Sequence, residues 1–289
     1  MWVFLSLVSA FALATSDALT KRTLGKQNEY LVAWCRLLFA LPILAPFALF
    51  MPIPPLDVAF YSAFALALPL EVLSVILYVK ALRLSPLSLT LPFLSLTPLF
   101  VIGVSYVVLG EEVSFRGLIG ILFLAAGSYV LNLHELRGGL FEPVKAIVRE
   151  KGSLLMILVA LIYSVTSSLG KKAILHSSPL FFGATYVFSL ALFLTPIALW
   201  NARHHVRQFA EQRSYRELMA PGIFYAIMVA SHMIAISAAN VAYMISLKRT
   251  SVLIGVAYGH LIFRERHIRE RLAGAIIMLA GFALVVSAP

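Results

Sequence analysis

An apolar stretch long enough to cross a bilayer recurs ten times in 289 residues. The stretches lie near 1–20, 30–51, 57–79, 86–109, 115–133, 153–171, 179–200, 217–237, 240–263 and 271–288. About 20 residues rising roughly 1.5 Å each span the hydrocarbon core. Within that core every backbone N–H and C=O must be bonded inside the chain, which drives each stretch to a helix. Composition agrees, because 61% hydrophobic and 12% charged residues leave too little polar surface to face water. The expected fold is therefore all-α and integral to the membrane, with the lipid bilayer as its solvent. Most connections are short, which makes consecutive helices antiparallel neighbours. The two longest, 134–152 and 201–216, are charged and suited to short surface helices. Residues Met1 to Ala18 look like a secretion signal with a cleavage-like Ala12-Leu13-Ala14, but they lack a basic start and have a counterpart later in the chain. They read as a retained span.

Charge is distributed by connection. The odd-numbered connections hold 17 Lys and Arg, whereas the even-numbered ones hold only Arg116, Lys171 and Lys172. The basic excess, 23 Lys+Arg against 13 Asp+Glu, is thus a membrane-topology signal, and nucleic acid is not an expected partner. The positive-inside rule puts the odd connections in the cytoplasm and both termini outside. A single cysteine, Cys35, leaves no internal disulfide framework and no multi-thiolate metal site.

The two halves repeat. A shift of 150 residues carries Ala10 onto Ala160, Leu19 onto Leu169, Lys21 onto Lys171, Leu44 onto Leu194 and Pro46 onto Pro196. Later in the chain a shift of 154 carries Glu111 onto Glu265, Gly120 onto Gly274 and Gly127 onto Gly281. The units are 1–133 and 153–289, joined by a charged connector at 134–152. Five spans per unit is an odd number, so the second unit inserts upside down. Ten transmembrane helices as two inverted five-helix repeats place a binding site between the repeats near the bilayer midplane.

On these marks the chain resembles the drug/metabolite transporter superfamily, in its ten-helix EamA-type members. The motifs are Pro98, Leu109-Gly110-Glu111, Gly120 and Gly127, with Phe263-Arg264-Glu265, Gly274 and Gly281 in the second copy. The second copy departs at Arg264 and Val252, where the first has Gly110 and Pro98. Ser246-Leu247-Lys248-Arg249 is similar to a Ser-x-Lys-Arg element of phosphate-translocating relatives. There the resemblance implies that the two cations hold a substrate phosphate and that Tyr225 matches a helix-eight tyrosine. Those relatives add a basic residue on helix four, where this chain has Leu94 and Ser95. The resemblance also implies cytoplasmic termini, opposite to the charge count.

Lys248 and Arg249 lead the candidate site residues. They lie about 12 Å into an apolar run that starts near Asn240, where one charge costs at least about 2.5–3.5 kcal/mol. Arg supplies a fork and Lys a point charge for a carboxylate or phosphate. Adjacent helical residues are about 100° apart, so only one of the two is expected to face substrate. The alternative is an internal ion pair with Asp17 or Glu71. Arg36 in helix two either reaches the interface, faces a cavity or pairs with an acid. Glu71 in helix three is expected to neutralise Arg36 or Lys248, or else to carry a coupling proton. Asp17 is a polar lining candidate whose counterpart is Ser167. His232 reads as hydrogen-bonded structure beside the cations, and Tyr163, Tyr225 and Tyr243 suit a cavity wall. Gly255 and Gly259 have the spacing for close helix contact. Glu111 and Glu265 read as acids at helix N-termini.

No catalytic constellation, metal set or cofactor motif is expected. The chain has no Gly-x-x-x-x-Gly-Lys-Ser/Thr, Gly-x-Ser-x-Gly or His-Glu-x-x-His element. The expected function is secondary transport of a small organic, anionic metabolite (an amino acid, organic acid or phosphorylated compound) by alternating access. The expected location is a bacterial-type plasma membrane. A proton on Glu71 or Asp17, or a counter-substrate, would couple the cycle. The runner-up is a flippase for a phosphorylated lipid-linked substrate. An integral membrane enzyme is disfavoured because the charges are deep and scattered. The sequence leaves the oligomeric state open.

Overall fold

The computed structural model describes residues 1–24, 27–84, 91–133, 151–211, 214–263 and 268–288. The first repeat consists of α1 (Trp2–Leu24), α2 (Glu29–Leu49), α3 (Val58–Leu84), a 3-10 segment (Leu91–Leu96) running into α4 (Thr97–Leu109), and α5 (Phe115–Leu133). The second consists of α6 (Lys151–Leu175), α7 (Pro179–Ala202), α9 (Met219–Ser237), α10 (Val241–Lys248) with α11 (Ser251–Phe263), and α12 (Ile268–Val286). Between α7 and α9 lie a short α8 (Val206–Glu211) and a 3-10 turn (Ser214–Leu218), the surface helix expected in that connection. Residues 134–150 of the other long connection lie outside the described residues.

Helix boundaries follow local chemistry. Asn28 and Asn240 accept hydrogen bonds from the N–H groups of Tyr30 and Ala242, capping α2 and α10. Gly110 ends α4 at φ 70°, a left-handed turn that glycine adopts without steric cost. Pro42, Pro46, Pro69 and Pro196 sit inside helices, as neighbouring helices in a membrane bundle permit.

Two helices predicted as continuous are broken. The α10–α11 break falls at Arg249–Thr250, and the other falls where the 3-10 segment meets α4. Shifting Thr97–Leu109 by 154 gives Ser251–Phe263, so the breaks are the same feature in both repeats. Pro98 accounts for the break in the first repeat, because its ring clashes with the carbonyl one turn earlier. Discontinuous helices of this kind commonly line transporter sites.

Each long helix finds its main partner in the other repeat. Helix α1 runs antiparallel to α9, with Ser9 Oγ donating to Met228 O and Ser16 Oγ to Pro221 O. Helix α3 packs on α6, and α2 packs on α7, where Trp34 Nε1 donates to Thr195 Oγ1 at 2.9 Å. Helices α5 and α12 meet through glycines. A Cβ on Gly120 would lie 2.8 Å from Val285 N and 2.9 Å from Gly281 O, and one on Gly127 would lie 2.7 Å from Gly274 O. The glycines that mark the repeat in sequence are thus the seam of α5 and α12. Gly255 differs from expectation, since a Cβ there would meet nothing within 4 Å. The large exposed side chains, including Phe4, Phe11, Phe193 and Ile276, form the lipid-facing surface.

Candidate functional site

Between the repeats lies a cavity of about 210 Å³. Its walls come from α1, α2, α3, α4, α6, α7, α9, α10 and the break after α10. Lys248, Arg249, Arg36, Glu71, Tyr225 and His232 all line it. Asp17 does not; it holds Arg36 through an ion pair at 2.6 Å.

Lys248 and Arg249 both line the cavity, where only one of them was expected to face it. Lys248 is the last residue of α10 and Arg249 its C-cap, still at helical φ −66° and ψ −12°, so the two side chains leave about 100° apart and reach different walls, Lys248 toward His232 on α9 and Arg249 toward Thr97 on α4. Lys248 Nζ sits 3.4 Å from His232 Nδ1. Arg249 Nη2 donates to Thr97 Oγ1 at 2.8 Å, at the start of α4. Its buried Nε has no hydrogen-bond partner. Among the described residues, the ion pairs are Arg36–Asp17, Lys171–Glu111 and His176–Asp57. Neither deep cation lies within 4.0 Å of a carboxylate among those residues. Glu71 likewise forms no ion pair at that distance; it lies beside Thr166 and close enough to Lys248 for the two charges to interact. The neutralising role expected for Glu71 is filled for Arg36 by Asp17.

The Arg36 guanidinium also lies over the Tyr225 ring, 4.5 Å from its centroid, an arrangement that favours a desolvated cation. Helix α7 contributes an aromatic wall in which Phe182 and Tyr186 stack at 5.1 Å and Phe64 meets Tyr186 edge-on. Tyr186 is 8% exposed, and its hydroxyl is buried with no partner. Sequence reasoning passed over Tyr186, although the 150-residue shift pairs it with Arg36.

One face of the molecule is tied between repeats. Glu111, in the turn from α4 to α5, accepts from Lys171 Nζ with one oxygen and from Val241 N with the other at 2.8 Å. Lys171 also donates to Ala239 O at 2.6 Å, and Asn240 Nδ2 donates to Glu112 O at 3.1 Å. Tyr243 is not in the cavity wall. Its hydroxyl accepts from Ser114 N at 2.9 Å, and its ring fills the space beside Gly117. Glu111 was expected to serve the helix that follows it; it instead meets the first N–H of α10. Glu265 lies outside the described residues. At the opposite, basic face the Asp17–Arg36 pair lies about 10 Å in from the ends of α1 and α2. There the Asp17 side chain is 51% exposed and Arg36 22%. The sequence reading counted Lys171 as a connection residue, but it is a buried member of α6 that lines the cavity.

The EamA-like transporter family matches residues 1–133 and 150–287, one match per repeat. The chain belongs to the EamA-like transporter family. It is a multi-pass membrane protein of transporter type. A solved crystal structure of a protein is 16% identical and covers 99% of this chain and 97% of its own, with a TM-score of 0.73. At that identity the likeness concerns the fold alone. No curated protein matches the chain.

Proposed function

We propose that this EamA-like protein is a secondary transporter of a small organic anion, moved by alternating access between the two repeats across a bacterial plasma membrane. The observation that carries the reading is the pair Lys248 and Arg249: two cations near the midplane, facing a cavity, neither within 4.0 Å of a carboxylate among the described residues. A charge so placed is costly unless something negative meets it. An anion in the cavity supplies that partner, and Arg249 Nε has a free hydrogen bond to give it. A volume of about 210 Å³ fits a small metabolite and is below the usual range for drug-sized ligands, about 300–1,000 Å³. That size disfavours the lipid-linked alternative. Glu71, beside Thr166 in the same cavity, is the group available to carry a coupled proton or to meet a cationic substituent of the substrate.

The test is uptake by proteoliposomes against a panel of amino acids, carboxylates and phosphorylated metabolites. Each charge-assisted hydrogen bond is worth about 1.5–3 kcal/mol, so Lys248→Ala and Arg249→Ala should each lower uptake of the transported compound at least about tenfold. Uptake that persists unchanged in a folded Lys248→Ala/Arg249→Ala protein would refute the assignment.

A further inference from the structure

Lys171 belongs to the cavity and to the closed face at once. Its side chain is 9% exposed and lines the cavity together with Gly170 and Ile174. An ammonium has three protons to donate. Glu111 Oε1 and Ala239 O take two of them, and the third is available to whatever enters the cavity. Glu111, in turn, joins the α4–α5 turn of one repeat to α6 and the first N–H of α10 in the other. Among the described residues, no other side chain that bonds across this face also lines the cavity. Asn240 to Glu112 O, Ser114 to Tyr243 and His176 to Asp57 all lie outside it.

We propose that Lys171 is a second anion-binding position and that an anion in the cavity opens this face by taking Lys171 from Glu111. The chemistry is an exchange of acceptors. A carboxylate or phosphate oxygen replaces Glu111 Oε1 on the ammonium, no proton changes hands, and Glu111 is left with Val241 N. Freed from Lys171, the α4–α5 turn can separate from α6. The anion first meets Lys248 and Arg249 at the break after α10, then Lys171 nearer the Glu111 face. The proposal rests on the anion-transport reading and assigns the residue that links occupancy to opening.

The experiment places spin labels at Glu112→Cys in the first repeat and Ser178→Cys in the second, in a Cys35→Ala background. Their separation is read by pulsed electron resonance in nanodiscs. Inorganic phosphate and malate serve as the phosphate and carboxylate probes. In the parent protein, either probe should raise the long-distance population. Glu111→Gln should raise it without any anion, by about tenfold or more in the open-to-closed ratio. Lys171→Gln should do the same and abolish any further response to the probes, and Lys171→Arg should restore the response. Thermal melting accompanies each variant, so a merely weakened fold shows as a lower Tm without a distance change; that result overturns the proposal. An absent response to both probes in the parent also overturns it. If the anion-transport reading is wrong, uptake survives Lys248→Ala/Arg249→Ala. If only the opening role is wrong, that uptake is lost while Glu111→Gln leaves the distance unchanged.

Discussion

Asp57 closes the connection between α2 and α3, and its carboxylate is used twice. One oxygen accepts from Phe60 N at 2.9 Å, capping α3, and the other meets His176 Nδ1 at 2.7 Å, across to the second repeat. The Phe60 N–H and the His176 imidazole hold the carboxyl below the usual carboxylate range. A depressed folded-state pKa means a stabilising contribution that is present above the unfolded value and is lost as pH falls through the folded one. Asp57→Ala should therefore melt at a lower temperature than the parent in detergent at about pH 7, with the gap narrowing toward about pH 3. A gap that does not change with pH would remove the charge from the account. Lys248, Arg249, Arg36, Glu71, Tyr225 and His232 were legible in sequence because a polar group deep in an apolar run is costly and so stands out. Tyr186 and Lys171 were not. A tyrosine on an apolar helix looks like packing, and a lysine near a helix end looks like an interface residue. Only the fold brings them to the cavity.

The helix breaks and the glycine seam illustrate what an element's sequence can and cannot specify. The ten apolar runs follow from hydropathy, because the lipid core leaves the backbone no other solution. The break at Arg249–Thr250 carries no proline or glycine, so nothing local announces it. It is held by Thr250 Oγ1 on Leu247 O and by Arg249 on Thr97, the latter from the other repeat. The glycines of α5 and α12 were visible as repeat marks, but their function depends on register. At Gly120 an added Cβ meets backbone atoms, which cannot move as a side-chain tip can. Gly120→Ala should separate the two helices and lower stability by about 1–3 kcal/mol, the usual cost of overpacking. Gly255→Ala should be neutral or stabilising by up to about 1 kcal/mol, because its Cβ enters open space and alanine favours helix. Thermal unfolding of both variants checks the contrast. Equal melting temperatures would mean that the α5–α12 seam does not depend on close backbone approach.

Across the whole molecule, the two faces differ in a way that ties conformation to orientation. The Glu111 face is bonded between repeats by Glu111, Lys171, Asn240 and Tyr243. The basic face has the partly exposed Asp17–Arg36 pair leading toward the cavity. If the 17-to-3 distribution of cations governs insertion, the basic face is cytoplasmic. The face tied by Glu111 and Lys171 is then the outer one. The resemblance to EamA-type members implies the opposite insertion, which would put that tied face in the cytoplasm. One labelling experiment decides between them. Glu112 and His205 are exposed on the Glu111 face and the basic face, respectively, whereas the single native cysteine, Cys35, is buried and unreactive by access. With Glu112→Cys and His205→Cys made separately, a membrane-impermeant maleimide applied to intact cells should label only the first. The second should react only after permeabilisation. The reverse pattern would show that the basic connections lie outside, and the order of events would turn over with it. An anion displacing Glu111 from Lys171 would then be opening the path into the cell, and Lys248 and Arg249 would meet their substrate from the outside.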